Sequence, residues 1–307
     1  MKNLVLYRSL NSFLKEKFGE KVKKIPLDAG LTCPNRDGTK GYGGCIYCDA
    51  KGSGTGLYAQ GKTLEEQVLY FLNLYKPKGF NKFIAYFQSF SNTYADPQTL
   101  KRLYDVLFLD SSIVGMAIGT RPDCVNEEII KLLLNYIDLG YYVWVELGLQ
   151  TIHNETLQKI NRGHTFEDFL EAYHLLKKFG IPVVVHIIFG LPGETREMML
   201  ETVKTLGKLQ VDGIKFHALY IPKGSQLENW YRQQKYTLLE KEEYVSLVAE
   251  ALTYLPETTV IHRLCSETRK EDLVAPLWVA QKHEVVSQIQ KFMQTNQLYQ
   301  GKNFNRI

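Results

Sequence analysis

Three cysteines in one loop carry the clearest chemistry in this sequence. Cys33, Cys45 and Cys48 stand as C-x11-C-x2-C within LTCPNRDGTKGYGGCIYCDAKGSGTG. The two-residue gap lets the Cys45 and Cys48 thiolates reach one metal centre, and Gly41, Gly43 and Gly44 let the backbone wrap closely around it. Three is the informative count. A structural zinc site is normally closed by four ligands, and this loop holds no histidine. A [4Fe–4S] cluster held by three thiolates keeps one iron open to a ligand that is not protein. The donor set therefore favours an iron–sulfur cluster over zinc or three unmetallated thiols. Cys124 and Cys265 lie in or beside apolar segments and read as inert core residues.

A second set of polar residues is spread along short apolar runs. Trp144, Glu146, Gly148 and Gln150 alternate with Val143, Val145, Leu147 and Leu149. Period-two alternation puts the first group on one face of a strand and the second on the other. Tyr86 and Gln88 repeat the split. So do His186 between Val185 and Ile187, Lys215 and His217 beside Phe216 and Ala218, and His262 further on. Each alone could be a satisfied core group, but the recurrence points to a polar cavity. Glu146, Lys215 and His217 are the candidate catalytic groups. A lysine is costly to bury unpaired, so Lys215 is expected to face Glu146 or the anionic group of a ligand.

The frame that positions these residues is a series of strand and helix units. Strands are expected at 24–27, 83–88, 113–118, 142–150, 183–189 and 213–219, with one more at 259–264. Helices are expected at 63–75, 96–109, 126–139, 165–179, 194–209, 238–254 and 277–298, and Thr63 with Glu66 makes a capping box. Strict alternation implies a parallel sheet with right-handed crossovers. A closed eight-stranded barrel fills its lumen with apolar layers, so polar strand faces imply a more open one. The expected fold is α/β, a partial (β/α)6 TIM-type barrel with an extra C-terminal strand and helices. It reads as a single domain over 1–307, with the barrel at about 24–220 and an extension at about 221–307. The cysteine loop then follows the first strand, at the carboxyl edge where such barrels build their sites.

Composition narrows the class. Of 307 residues, 45 % are hydrophobic and 23 % charged, which excludes a disordered chain, a collagen-like fibre and a coiled coil. Five cysteines, an odd number, argue against a disulfide scaffold. With no signal peptide and no apolar run of membrane length, the expected location is the cytoplasm, with no membrane partner. A formal charge of +4 permits a nucleic-acid partner without demanding one.

The motifs together resemble the radical S-adenosylmethionine (SAM) superfamily, although the first cysteine gap is longer than that superfamily's common C-x3-C-x2-C. The long gap is similar to that of the elongator catalytic subunit. Over about residues 5 to 265 the chain looks like the small bacterial family labelled YhcC/YtqA, whose hallmarks appear as CPNRDG, GYGGCIYC, YFQSFSNTYA, GTRPDC, VELGLQTIHNETLQKINRGHT, HIIFGLPGET and KFHALYIPKGSQL. The resemblance implies that Cys33, Cys45 and Cys48 bind a [4Fe–4S] cluster, that SAM chelates its fourth iron, and that an electron donor such as flavodoxin or ferredoxin reduces it. It places Tyr47 beside the adenine. Gln88, Ser89, Phe90 and Ser91 fall at the Gly-Gly-Glu stretch that receives the methionine amino group, without its glycines or glutamate. Gln150 and Arg162 match SAM-contacting positions of the coproporphyrinogen-oxidising relatives, and His186 stands where those relatives carry a ribose-binding aspartate. Thr120 and Arg121 are candidates for the same cavity.

The substrate is less legible. The elongator relatives act on the wobble uridine of tRNA. Arg8, Lys15, Lys17, Lys21, Lys23 and Lys24, with Lys302 and Arg306, could hold phosphates while Tyr7, Phe13 and Phe18 stack bases. Against this, Leu10, Leu14 and Phe18 share a helical face that would anchor the segment to the core, with Phe13 off the stripe. A tRNA uridine, a small molecule and a peptide remain open as substrates, and a zinc-stabilised RNA-binding module is the alternative of another class.

Overall fold

Among the described residues the chain forms ten α-helices and nine strands, whose alternation follows the apolar periodicity. The computed structural model describes residues 5–49, 52 and 54–306. In order, the elements are α1 (Leu10–Phe18), β1 (Val22–Leu27), α2 (Leu64–Tyr75), β2 (Lys82–Phe87), α3 (Pro97–Tyr104), β3 (Ile113–Thr120), α4 (Glu127–Asp138), β4 (Tyr142–Gln150), α5 (Asn154–Lys159) and α6 (Phe166–Lys178). There follow β5 (Val183–Phe189), α7 (Arg196–Lys208), β6 (Gly213–Ala218), β7 (Ile221–Pro222), α8 (Gln226–Arg232), α9 (Lys241–Thr253), β8 (Val260–Arg263), β9 (Leu273–Ala275) and α10 (Lys282–Thr295). Strands β1 to β6 and β8 pair in that order, all parallel, as a curled sheet. This is the partial TIM-type barrel expected from the alternation, with β8 as the extra strand.

The two faces of each strand part as period two demands. Val143, Val145, Leu147 and Leu149 are buried outward among the helices, in the main core with residues such as Leu133, Phe169 and Val203. Burial of each such side chain contributes roughly 1.5–3 kcal/mol. On the inner face, the amino-terminal half of the barrel is filled by Ile84, Ala117, Trp144 and Val184, with Leu14 of α1 pressed among them as a plug. The carboxyl-terminal half carries the polar residues. The Thr63–Glu66 capping box forms as expected, and a second joins Thr165 and Asp168.

The departures are in short elements. The helix expected over 96–109 is α3 followed by a 3-10 turn, and that expected over 277–298 begins as the 3-10 turn Leu277–Gln281. The six-residue α5, the seven-residue α8 and the antiparallel β7–β9 pair are too short to show a period. Among the described residues, no helix is long and apolar enough to cross a membrane.

Candidate active site

The cysteine loop folds back over the carboxyl ends of the strands because its far side is tied to the segment after β4. Ile46 N–H donates to Ile160 O at 3.1 Å, and Asn161 Nδ2 donates to Gly44 O at 2.8 Å. A cavity of about 220 Å³ opens beneath it. Cys33, Cys45, Cys48, Tyr47, Gln88, Ser89, Thr120, Glu146, Gln150, Arg162, His186, Lys215 and His217 all line it, so the candidate cluster, SAM and catalytic residues converge on one place. A second cavity of about 510 Å³ adjoins it and shares Tyr86, Gln88 and Arg263.

At the sulfur end, each of two thiols faces a guanidinium. Arg162 Nη1 lies 3.4 Å from Cys45 Sγ, and Arg36 Nη1 lies 3.4 Å from Cys48 Sγ. Burial pushes the Cys45 thiol up, but the Arg162 and Arg121 charges outweigh it and hold the thiol below its usual range. Cys48 is pushed up to about 12 by burial and by the Cys45 thiolate. These thiols therefore suit a cationic iron centre, which would take both as thiolates. Among the described residues, no three His, Cys, Asp or Glu side chains close on a point where a single ion would sit. Cys124 and Cys265 are buried with thiols raised to about 12, chiefly by burial, as inert core residues should be.

Next to the sulfurs lies a cradle of buried polar side chains and strained backbone. Ser89 and Phe90 take φ of 152° and 57°, glycine-type values at the stretch where the superfamily carries glycines. Gln150 ends β4 at φ 80°. Among the described residues, Ser89 Oγ is buried without a hydrogen-bond partner. An orphaned hydroxyl is costly unless a ligand meets it, so this wall fits the polar methionine moiety that SAM would present. Arg162 is not a surface helix cap: it is buried, and Nε and Nη2 donate to Gly148 O at 3.2 and 2.6 Å. A side chain at Gly148 would meet Arg162 Nη2 at 2.7 Å. The Thr120 hydroxyl is already engaged, 2.6 Å from that of Thr93.

Deeper in the barrel, Glu146 is a hub. Oε2 accepts from His186 Nε2 at 2.8 Å and from Lys215, while Oε1 accepts from Trp144 Nε1 at 3.0 Å and Lys24 Nζ at 3.3 Å. Burial would raise the carboxyl, but Lys215 and Lys24 hold it well below the usual range. His186 is pulled down to about 4 by burial and by Lys215, so it is neutral near pH 7. Lys215 also donates to Tyr86 OH at 2.8 Å. His217 lies 5.2 Å from His186, centroid to centroid, with Nε2 buried and unpartnered.

Three sequence expectations change here. His262 does not join the cavity: a register irregularity in β6–β8 pairs Lys215 with Arg263 instead, and His262 packs on Trp144 below. Lys24 is not part of a basic surface, since its strand parity turns it inward to Glu146. Phe13 is not off the packed face of α1: with Phe18 it packs on Tyr142, at 6.1 and 6.2 Å, while Tyr7 is held by Gln290, so none of these aromatics is free to stack a base. Arg121 does line the cavity, with its guanidinium held by Asp123 and by Arg162 O. Arg36 was not singled out. Its signal was proximity, three residues past Cys33 in CPNRDG.

A half-barrel of parallel strands, with three loop cysteines over a polar mouth, defines a class. The radical SAM superfamily model matches residues 33–206, and the radical SAM C-terminal domain model matches residues 211–295. The chain belongs to this superfamily, whose members use a [4Fe–4S] cluster and SAM, and it is a radical SAM enzyme. It is 39 % identical over 98 % of its length to uncharacterized protein YtqA of Bacillus subtilis, covering 94 % of that protein. Within the superfamily it is therefore a member of the YhcC/YtqA-type family, related to Elp3. The solved structure of the archaeal Methanocaldococcus infernus Elp3, with an N-terminal deletion, superposes with a TM-score of 0.70 at 20 % identity, over 91 % of this chain and 64 % of that one. The tRNA uridine(34) acetyltransferase of Methanocaldococcus jannaschii is 33 % identical over 47 % of this chain and 26 % of its own length.

Proposed function

We propose that Cys33, Cys45 and Cys48 hold the cluster, that SAM lies across the carboxyl ends of the strands against Tyr47, Gln88, Ser89, Thr120, Gln150, Arg162 and His186, and that the substrate is a tRNA wobble uridine. The carrying observation is that three thiols of one loop and the polar ends of the strands open on the same cavity. When bound, cluster and SAM supply a 5′-deoxyadenosyl radical after one-electron reduction by a donor such as flavodoxin or ferredoxin. The chain's own residues bind and shield. Arg162, whose Nε and Nη2 are held by Gly148 O, keeps its charge beside the sulfurs and turns its Nη1 end towards the carboxylate of SAM. The half-barrel keeps water from the reacting atoms, and Lys215 and His217 meet the substrate from below. The likeness to a protein named tRNA uridine(34) acetyltransferase supports the RNA reading; exposed Lys15, Lys17 and Lys21 on and beside α1 are available to phosphates.

The test is anaerobic reconstitution followed by SAM cleavage with and without bulk tRNA. Wild type and the Cys124→Ala and Cys265→Ala variants should show the visible absorption of a four-iron cluster, and Cys33→Ala, Cys45→Ala or Cys48→Ala should lose it. An intact four-iron cluster in Cys45→Ala refutes the ligand assignment. Unchanged nucleosides in tRNA from cells lacking the protein refute the substrate.

A further inference from the structure

The hub around Glu146 holds more cation than anion. The ion pairs of Lys24 and Lys215 both end on this one carboxylate, and both ammoniums also stand over the same Tyr86 ring, at 4.0 and 4.4 Å from its centroid. Neither lysine sits in bulk water: the side chains are 21 % and 2 % exposed, and that of Glu146 is 0 %. His186 adds no negative charge, and Arg263 shares Glu267, at 3.5 Å, with Lys282, at 2.6 Å, so it brings no spare carboxylate to the hub. Two cations against one carboxylate leave one positive charge over. A buried charge without a counter-charge is costly, and Lys215 lines the same cavity as His217, whose buried Nε2 has no partner among the described residues. Burial lowers the pKa of each lysine, and each is lowered further by the other or by Arg263.

We infer that Lys24 and Lys215, with His217, form a receptor for a carboxylate on the substrate where the two adjoining cavities meet around Tyr86. The inference rests on this cavity being the reaction chamber and not on the substrate being RNA. A carboxylate bridging the two ammoniums balances the charge and gives His217 Nε2 a partner. A neutral substrate of the same shape leaves the surplus charge unmet, so the receptor selects for an acidic substituent. SAM's own carboxylate is the competing source, and Arg162 near the sulfurs is its expected partner.

Three measurements decide it. First, Lys24→Met in the cluster-loaded protein without substrate should leave the unfolding midpoint unchanged or raised, because the surplus charge is gone. A lowered midpoint makes Lys24 a structural partner of Glu146 and overturns the inference. Second, SAM affinity should be the same in Lys24→Met as in wild type. A fall of about threefold or more assigns the carboxylate to SAM and overturns it equally. Third, a nucleoside that accumulates in tRNA from cells lacking the protein should be retained on an anion exchanger at neutral pH. A neutral or cationic nucleoside overturns the receptor while the tRNA reading stands. An unchanged tRNA profile ends the tRNA reading alone, and the first two measurements then decide the receptor.

Discussion

Glu146→Gln keeps the volume of the hub and removes its charge. In the wild type, two carboxylate oxygens accept from Lys24, Trp144, His186 and Lys215. An amide offers one acceptor oxygen and turns an NH2 towards donors that cannot accept from it. Lys215, whose side chain is 2 % exposed, then loses its counter-charge. Breaking a buried pair from one side costs roughly 3–5 kcal/mol. For 307 residues the unfolding entropy near the midpoint is about 0.6 kcal/mol/K, so the midpoint should fall by about 5–8 °C. Scanning calorimetry at matched rate on the cluster-loaded protein reads this directly. The double variant Glu146→Gln, Lys215→Met should recover much of the loss, since the stranded cation is gone. A fall below about 1 °C, or a double variant less stable than Glu146→Gln alone, refutes a buried charged hub.

Arg162→Met should keep its iron and weaken SAM binding by about 1–3 kcal/mol, the scale of a lost charge-assisted bond; equal affinity by equilibrium dialysis removes Arg162 from the SAM site. Gly148→Ala would place a methyl 2.7 Å from Arg162 Nη2 and 2.9 Å from Gln150 Nε2, so it should lower SAM affinity while iron content stays at the wild-type level. Asp123 is raised by burial, but the two bonds from Arg121, with Lys40, hold it down to about 2 against an ordinary 3.8. A depressed carboxyl stabilises above its unfolded value and stops doing so as pH falls through its folded value, so roughly 2 kcal/mol should be lost between about pH 4 and pH 2. Asp123→Asn should flatten that limb of the urea-unfolding profile, and an unchanged slope rejects the clamp.

Much of the site was legible because strand parity is a local property. β4 and β5 have the bounds that alternation gives, and Glu146, Gln150, His186, Lys215 and His217 were found by parity alone. The same rule applied to VKKIPL would have found Lys24: Ile25 and Leu27 face the helices, so Lys24 faces in. Its place in a run of lysines obscured this, and its partner lies 122 residues away. The exchange of Arg263 for His262 was not legible, because one irregular residue in β6–β8 reverses which side chain faces the cavity. Arg36 and Arg121 are set by hydrogen bonds across loops, which no periodicity reports.

The plug at the barrel's amino end also fixes an order of events during synthesis. Helix α1 is made before the strands that it plugs, and although Phe13 and Phe18 can pack on Tyr142 once β4 is made, the last of what holds it down comes late: Ser9 bridges to Ile261, whose N–H donates to Arg8 O. Gln300 completes the latch, accepting from Arg8 N–H through its side chain and donating its own N–H to Leu6 O. Contacts separated by nearly the whole chain are slow to form and reward the fold only at the end. While the ribosome is still making α9, the nascent half-barrel therefore lacks this latch, and only the packing of Leu14 around Trp144 closes its base. That interval is when the growing chain is most exposed to chaperones and to association with its neighbours.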